Sequence, residues 1–479
     1  MRKSVYIIFS LLILFTFSFC RKDVGKTIYG NYPNAVGKIM VNKCATTGCH
    51  NTLSAPASNG LNLETWDDMF KGGNSGSSVI PYRADFSSLC YFINTYSDLG
   101  IINSPTMPFN KAPLSYNEVQ TIKDWINAGA PDYLGNIKWA DKPGRKKVYV
   151  TNQGCDVVTV FDAETMLPMR YITVGNNSSI EVPHQIRVSP DSKYWYVVFV
   201  NNNIMQKYSC DDDKLVGEAV LGTNFNWNSF VISDDGTKAY AVAWAPLSYL
   251  ASVDLVNMKT IHTVSFPEEL HGVALNSDNT VMFITGQKGN FIMQVDTDIT
   301  DGNDFKIALD NGVPSSNSIY DAHDIITPDG LFFFISCQKT AEIRVFNSGS
   351  GMVTGTLSVG YFPQEFAYAG IANKLYVTCP YDSTSFPGNT GTVTEIDLNF
   401  STTRKLAVGY MPHGIAVDEN RKLVYVASRN IFTTGPAPHH TSVCNGRNGF
   451  VNYIDMNTFT VNKKKTEISV DPYSAAYRK

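Results

Sequence analysis

The chain is short of charge. Only 17% of its 479 residues are charged and the net charge is −4, so there is no basic field with which to hold nucleic acid. The apolar run Val5 to Phe19 is shorter than the ~20 residues a helix needs to cross a bilayer. Histidine is scarce as well, at eight residues, so the position of each one carries weight. What is abundant points elsewhere. Aromatic residues make up 12% of the chain, and Gly, Asn, Asp and Thr are frequent, which predicts an all-β majority. The length exceeds that of one small domain, so two are expected. The balance is that of a folded soluble protein rather than a disordered one.

The first residues read as a targeting segment. Arg2 and Lys3 precede the apolar run, which ends at Cys20. A cysteine there, followed by Arg21, Lys22 and Asp23, resembles a bacterial lipoprotein signal, which implies a lipid-modified Cys20 as the mature N-terminus. Phe19 departs from that pattern, where a small residue is expected. Ordinary cleavage nearby and an uncleaved anchor are the alternatives. All three readings predict export, to the periplasm or cell envelope, with membrane attachment through Cys20 if it is modified. Residues 1–20 are assigned to the signal and 21–35 to a linker.

The most informative stretch is CATTGCH, Cys44 to His50, taken with Met107 in SPTMPFNKAPLS. Two cysteines followed at once by histidine are the pattern of covalent c-type haem attachment. Each thiol adds to a haem vinyl group and the adjacent His50 reaches the iron. A His/Met ligand pair raises the haem potential. The spacer is four residues, Ala45 to Gly48, rather than the common two. That longer loop must bulge, which Gly48 permits. A Cys44–Cys49 disulfide and a zinc site are the alternatives. Met40 is a second distal candidate, closer to the motif and without a following proline.

Taken together, CATTGCHN, NGLNLETWDDM, SSLCYFIN and TMPFNKAPLSYNEVQTIKDWINAGAPD resemble the cytochrome c domains of exported bacterial proteins, over residues 36–132. The resemblance implies a small all-α domain. In it Cys44 and Cys49 bind haem, with His50 proximal and Met107 distal. The local pattern predicts one amphipathic helix. Ser115 and Glu118 form a capping box. Val119, Ile122, Trp125 and Ile126 recur at helical spacing, and Gly129 ends the run. Trp125 reads as core packing. Residues 133–145 are a linker with Gly135, Pro143 and Gly144 as breakers.

From residue 146 to 479 the chain repeats itself. An apolar strand recurs seven times: VYVTN (148–152), YVVFVN (196–201), AYAVAW (239–244), VMFITG (281–286), FFFISC (332–337), LYVTC (375–379) and VYVAS (424–428). Most copies follow a polar turn such as SPDS, SDDG, NSDN or TPDG. A period of about 40–50 residues with several strands per unit predicts a β-propeller. The units resemble the YVTN repeat family. The chain ends in DPYSAAYRK, an innermost strand without the rest of its unit, and the first unit lacks that strand. The two are expected to pair beside Val148 to Asn152 and close a seven-bladed ring.

Four histidines share one phase, at the head of the innermost strand: His184, His271, His323 and His413. Asn228, Gln364 and Tyr473 hold that phase in the other units. The seven positions are expected to surround one mouth of the central channel. The last unit carries an insertion on the same side with His439, His440 and Cys444. Imidazole and thiolate suit copper or zinc, or a further haem. The bland alternative is a polar ring that holds water. Cys337 and Cys379 lie at strand ends on that side, and His262 on an outer strand reads as structural. Asp324 and Glu365 do not by themselves make the acidic metal cluster of a lactonase-like hydrolase. Two function classes follow. One is an exported c-type haem protein in electron transfer with a redox partner protein. The other is a cell-surface propeller acting as a binding or interaction scaffold.

Overall fold

The computed structural model describes residues 29–223, 226–244, 247–302, 304–316, 319–399, 401–431, 444 and 446–479. The predicted signal with Cys20, and the insertion histidines His439 and His440, lie outside these residues. The rest of the repeat region forms seven four-stranded antiparallel sheets, one per unit. It is a seven-bladed β-propeller.

Short local rules build each blade. Second strands such as Lys147–Asn152 and Leu423–Ser428 are buried along their whole length, which is why they read as unbroken apolar runs rather than alternating ones. The polar turns before them are Asx-type turns. In SDDG, Asp235 accepts from the Ser233 hydroxyl at 2.6 Å and the Thr237 amide at 2.9 Å. In SPDS, Asp191 accepts from the Ser189 hydroxyl at 2.6 Å and the Lys193 amide at 3.1 Å.

The threonine of the second strand joins neighbouring blades. Thr151 Oγ1 donates to the His184 carbonyl at 3.0 Å, Thr285 to that of His323 at 2.9 Å, and Thr378 to that of His413 at 2.7 Å. In each case the acceptor is the innermost strand of the next blade. These buried donors explain a polar residue within an otherwise apolar strand.

The ring closes as the incomplete end units predict. Pro472–Arg478 pairs antiparallel with Lys147–Asn152, with Val148 opposite Tyr477 and Lys147 opposite Arg478. The first blade is therefore built from both ends of the repeat region. A disulfide, Cys155–Cys444, adds a second tie between the first and last blades.

Residues 29–140 depart from the expected small all-α domain. They hold four short α-helices: α1 (Asn34–Ile39), α2 (Trp66–Met69), α3 (Ser88–Ile93) and α4 (Tyr116–Asn127). Only α4 exceeds six residues. The joining segments, such as NTLSAPASNG and INSPTMPFNKAPLS, are rich in Pro, Gly, Asn and Ser, which end helices. No cytochrome-like helical domain forms.

This segment also has no core of its own. Its buried residues, from Tyr32 and Trp66 to Trp125 and Trp139, are continuous with Val158, Leu167 and Trp195 of the first two blades. It rides on outer strands of the first and last blades. Ser77 Oγ donates to the Pro168 carbonyl at 2.8 Å, the Glu467 amide donates to the Ser75 carbonyl at 3.0 Å, and Phe86 stacks on Tyr171 at 4.5 Å. Trp125 packs against Tyr32, and its indole N–H donates to the Pro131 carbonyl. Among the described residues no helix is long and apolar enough to cross a membrane.

Candidate functional site

The CATTGCH loop begins where α1 runs into a wide turn, Met40–Cys44. The His50 amide donates back to the Cys44 carbonyl at 3.1 Å, and the Cys49 amide to the Thr46 carbonyl at 3.0 Å. These bonds close the four-residue spacer into a compact bulge. Gly48 sits at its tip with φ +79° and open space around it. Cys44 and Cys49 are free thiols, with no disulfide between them. Burial is the main reason the Cys44 thiol is pushed up to about 12, with Cys49 adding to it.

His50 is held in one orientation. Its Nδ1 donates to the Leu61 carbonyl at 3.2 Å, which leaves Nε2 as a bare lone pair. Burial lowers its basicity, against the opposing effect of the Leu61 bond, so the ring stays neutral. A neutral imidazole with its far nitrogen fixed by a backbone carbonyl is the usual arrangement of a metal-ligating histidine.

Met107 approaches from α3. Its amide donates to the Phe92 carbonyl at 2.8 Å, which sets the TMP turn beside that helix. Cys44, Cys49, His50 and Met107 all line one cavity of about 940 Å³. That is at the upper end of the roughly 300–1,000 Å³ found for small-molecule and cofactor sites. Leu61, Leu63, Ile80, Leu89 and Phe92 supply apolar walls. Met40, the other distal candidate, is fully buried in the core and does not line the cavity.

One wall comes from the propeller. Pro168 and Tyr171 of the first blade, and Phe450, Lys465, Glu467 and Ser469 of the last, complete the cavity. The motif residues gave no hint of these, because they lie at the far end of the sequence. Ser469 also donates to Cys155 Sγ at 3.0 Å, so the disulfide stands directly behind this wall.

The second candidate region is the channel mouth. The innermost strands carry a bulge at the histidine position, seen as register shifts at Pro183/Ile186, Leu270/Val273, Ala322/Ile325 and Pro412/Ile415. Bulges of this kind re-aim side chains. The four histidines do converge. His271 and His323 lie ring on ring at 3.7 Å, and Tyr473 lies between His413 at 3.6 Å and His184 at 4.1 Å. Gly414, next to His413, lets the first blade approach: a Cβ there would fall 2.5 Å from the Tyr473 carbonyl oxygen.

Next to the ring the structure brings together Asp324 and Glu365, the two acids that form no cluster in sequence. Glu365 Oε1 is 3.5 Å from His413 Nδ1, and Glu365 Oε2 accepts from the Ser474 hydroxyl at 3.3 Å. Burial pushes Glu365 up to about 8 and Asp324 up to about 7, in each case against the nearby Arg187.

Cys444 does not join the mouth as a free thiolate, because its sulfur is engaged with Cys155. His439 and His440 lie outside the described residues. Cys337 and Cys379 are buried thiols packed in blade cores, each pushed up by burial. His262 sits on an outer strand and shares a hydrogen bond with Ser252 Oγ at 3.1 Å. Among the described residues no group of three or more His, Cys, Asp or Glu side chains is arranged to hold a metal ion.

No family model matches the chain, and no curated protein matches it. Among solved structures, it is similar to hydrazine synthase from Kuenenia stuttgartiensis. The TM-score is 0.45 and the identity 17%, over 60% of this chain and 80% of that one. It is also similar to a functionally unknown protein from Desulfotomaculum acetoxidans DSM 771. Here the TM-score is 0.49 and the identity 14%, over 68% of this chain and 99% of that one. Likeness at this level bears on no residue of either site.

Proposed function

We propose that the chain is an exported electron carrier that holds one covalently bound haem c in the cavity between residues 29–140 and the propeller. The observation that carries this reading is the meeting of Cys44, Cys49, His50 and Met107 at one apolar cavity, with Nδ1 of His50 held by the Leu61 carbonyl and Nε2 left free. The residues fit the group. The two thiols would hold it through thioether links, His50 Nε2 and the Met107 thioether would hold its iron, and the apolar walls would exclude water. Bound there, the haem iron would supply one-electron exchange, at a potential raised by the His/Met pair. The protein's own part is to orient His50 through the Leu61 carbonyl, to keep Cys44 dry, and to close the cavity with the outer strands of two blades. We read the repeats as YVTN-type, with the conserved-phase threonine as the tie between blades. The N-terminal segment serves export, with Cys20 as the lipid-anchoring residue.

The test is production of the full chain with c-type haem maturation machinery. The expected result is a haem-stained band that survives denaturation and disappears in the Cys44→Ala/Cys49→Ala double variant. Met107→Ala is expected to retain haem, lower its potential and open a coordination site to added imidazole. Haem-free parent protein from such cells would refute the assignment and leave the propeller as a binding scaffold.

A further inference from the structure

The channel mouth presents hydrogen-bond acceptors without donors. His413 Nδ1 donates to the Tyr473 carbonyl at 3.0 Å. A carbonyl can only accept, so the proton sits on that nitrogen and Nε2 is a lone pair. His413 Nε2 is buried and has no partner, and neither has His184 Nδ1 nor His271 Nδ1. Asn228 spends its amide N–H on the Leu270 carbonyl at 3.4 Å, and its Oδ1 is also unpartnered, as is Gln364 Oε1. His413, Asn228 and Gln364 are 1%, 4% and 9% exposed. Buried acceptors in such number are costly unless something donates to them.

We propose that this mouth binds a small cation bearing several N–H donors, of the primary-ammonium class. The acceptors are distributed around a ring, and no three of the His, Cys, Asp or Glu groups close on a common point among the described residues. That geometry suits a molecule with donors pointing several ways better than a single metal ion. Glu365 and Asp324 lie next to the ring, able to supply the counter-charge. The charged group facing these acids is Arg187, which opposes a cation; Arg429 faces His413 and His184 and is neutralised by Asp471 at 2.5 Å. Primary ammonium groups remain protonated up to a pH of roughly 10. The cation and the proton on Glu365 therefore compete, and binding tightens as pH rises from 6 to 8. This site is independent of the haem, so its failure and that of the haem assignment are separable.

The experiment is calorimetric titration of the metal-stripped full chain with methylammonium at pH 6, 7 and 8, and with Nα-acetyl-lysine methylamide as a second probe. Saturable binding of methylammonium, about fiftyfold tighter at pH 8 than at pH 6 for one proton displaced from a group at about 8, is expected. Binding of the lysine probe as well would identify the natural source as a protein side chain, and its exclusion would identify a free amine. Glu365→Gln is expected to weaken binding and flatten the pH dependence, and His271→Gln to weaken it with the pH dependence intact. Absence of saturable methylammonium binding by the folded parent at all three pH values would overturn the proposal. So would stoichiometric copper or zinc at the mouth that methylammonium does not displace, or a folded Glu365→Gln variant that binds like the parent.

Discussion

The second-strand threonines show how much can rest on one hydroxyl. Thr378 is fully buried and donates to the His413 carbonyl. Thr378→Val keeps the shape, removes the donor and strands a buried acceptor. A loss of about 1–3 kcal/mol is expected, read as a lower urea midpoint with an unchanged slope. Thr378→Ser keeps the donor and is expected to recover most of it. His50 is the comparable residue in the cavity, where the Leu61 carbonyl orients the ring as an outer-shell carboxylate orients a histidine in metal sites. CATTGCH and Met107 stand out in the sequence because each stretch is local and its residue types are distinctive, and the structure sets them on one cavity. The pairing of Glu365 with His413 was not legible, since the two come from different blades and the repeat phase that marks His413 says nothing of its neighbour across the blades.

At the level of elements, α4 is the one helix whose sequence declared itself. Its capping box is present, and the Ser115 amide donates to Glu118 Oε2 at 2.9 Å. The same carboxylate holds Lys43 at 2.6 Å, one residue before Cys44. Glu118→Ala is expected to cost about 1 kcal/mol, most of it from the cap, because the ion pair is only partly buried and adds little. A thermal melt of the full chain tests this. The rest of residues 29–140 shows where local pattern stops being a guide. One periodic helix suggested a helical domain, but Pro, Gly and Asn between residues 51 and 114 permit only single turns, and the missing core is borrowed from the propeller. The strands were legible for the opposite reason. Each repeats the same apolar run and the same Asx turn, so seven weak signals add.

For the whole molecule, closure and charge give three further expectations. Deleting residues 471–479 removes the strand opposite Lys147–Asn152 and exposes the edge it covered. Cooperative unfolding is expected to be lost, and an unchanged thermal transition would count against the seven-blade ring. The disulfide could not be read from sequence, because its cysteines are 289 residues apart. Cys155→Ser is expected to destabilise by roughly 2–5 kcal/mol, measured by denaturant titration under oxidising conditions. The mouth predicts a pH profile as well. His271 and His413 are held down to about 3, chiefly by burial, and His184 and His323 are lowered in the same way. The unfolded chain therefore binds more protons at these sites below pH 6.5, and stability rises as pH approaches that value. Glu365 and Asp324 act in the opposite sense. They are raised to about 8 and about 7, so the folded chain keeps protons that the unfolded chain has released, and their contribution falls as pH rises to 8. A maximum near pH 6.5 is expected for these six groups together. Glu365→Gln should shallow the alkaline decline in a pH series of unfolding midpoints.

The cavity wall is assembled from opposite ends of the sequence. Cys44, His50 and Met107 are made early, whereas Phe450, Lys465, Glu467 and Ser469 are made almost last. A chain emerging from its N-terminus thus offers the CATTGCH loop long before the propeller can cover it. If that loop takes the proposed haem, the order of synthesis leaves it open to a maturation enzyme until ring closure seals it.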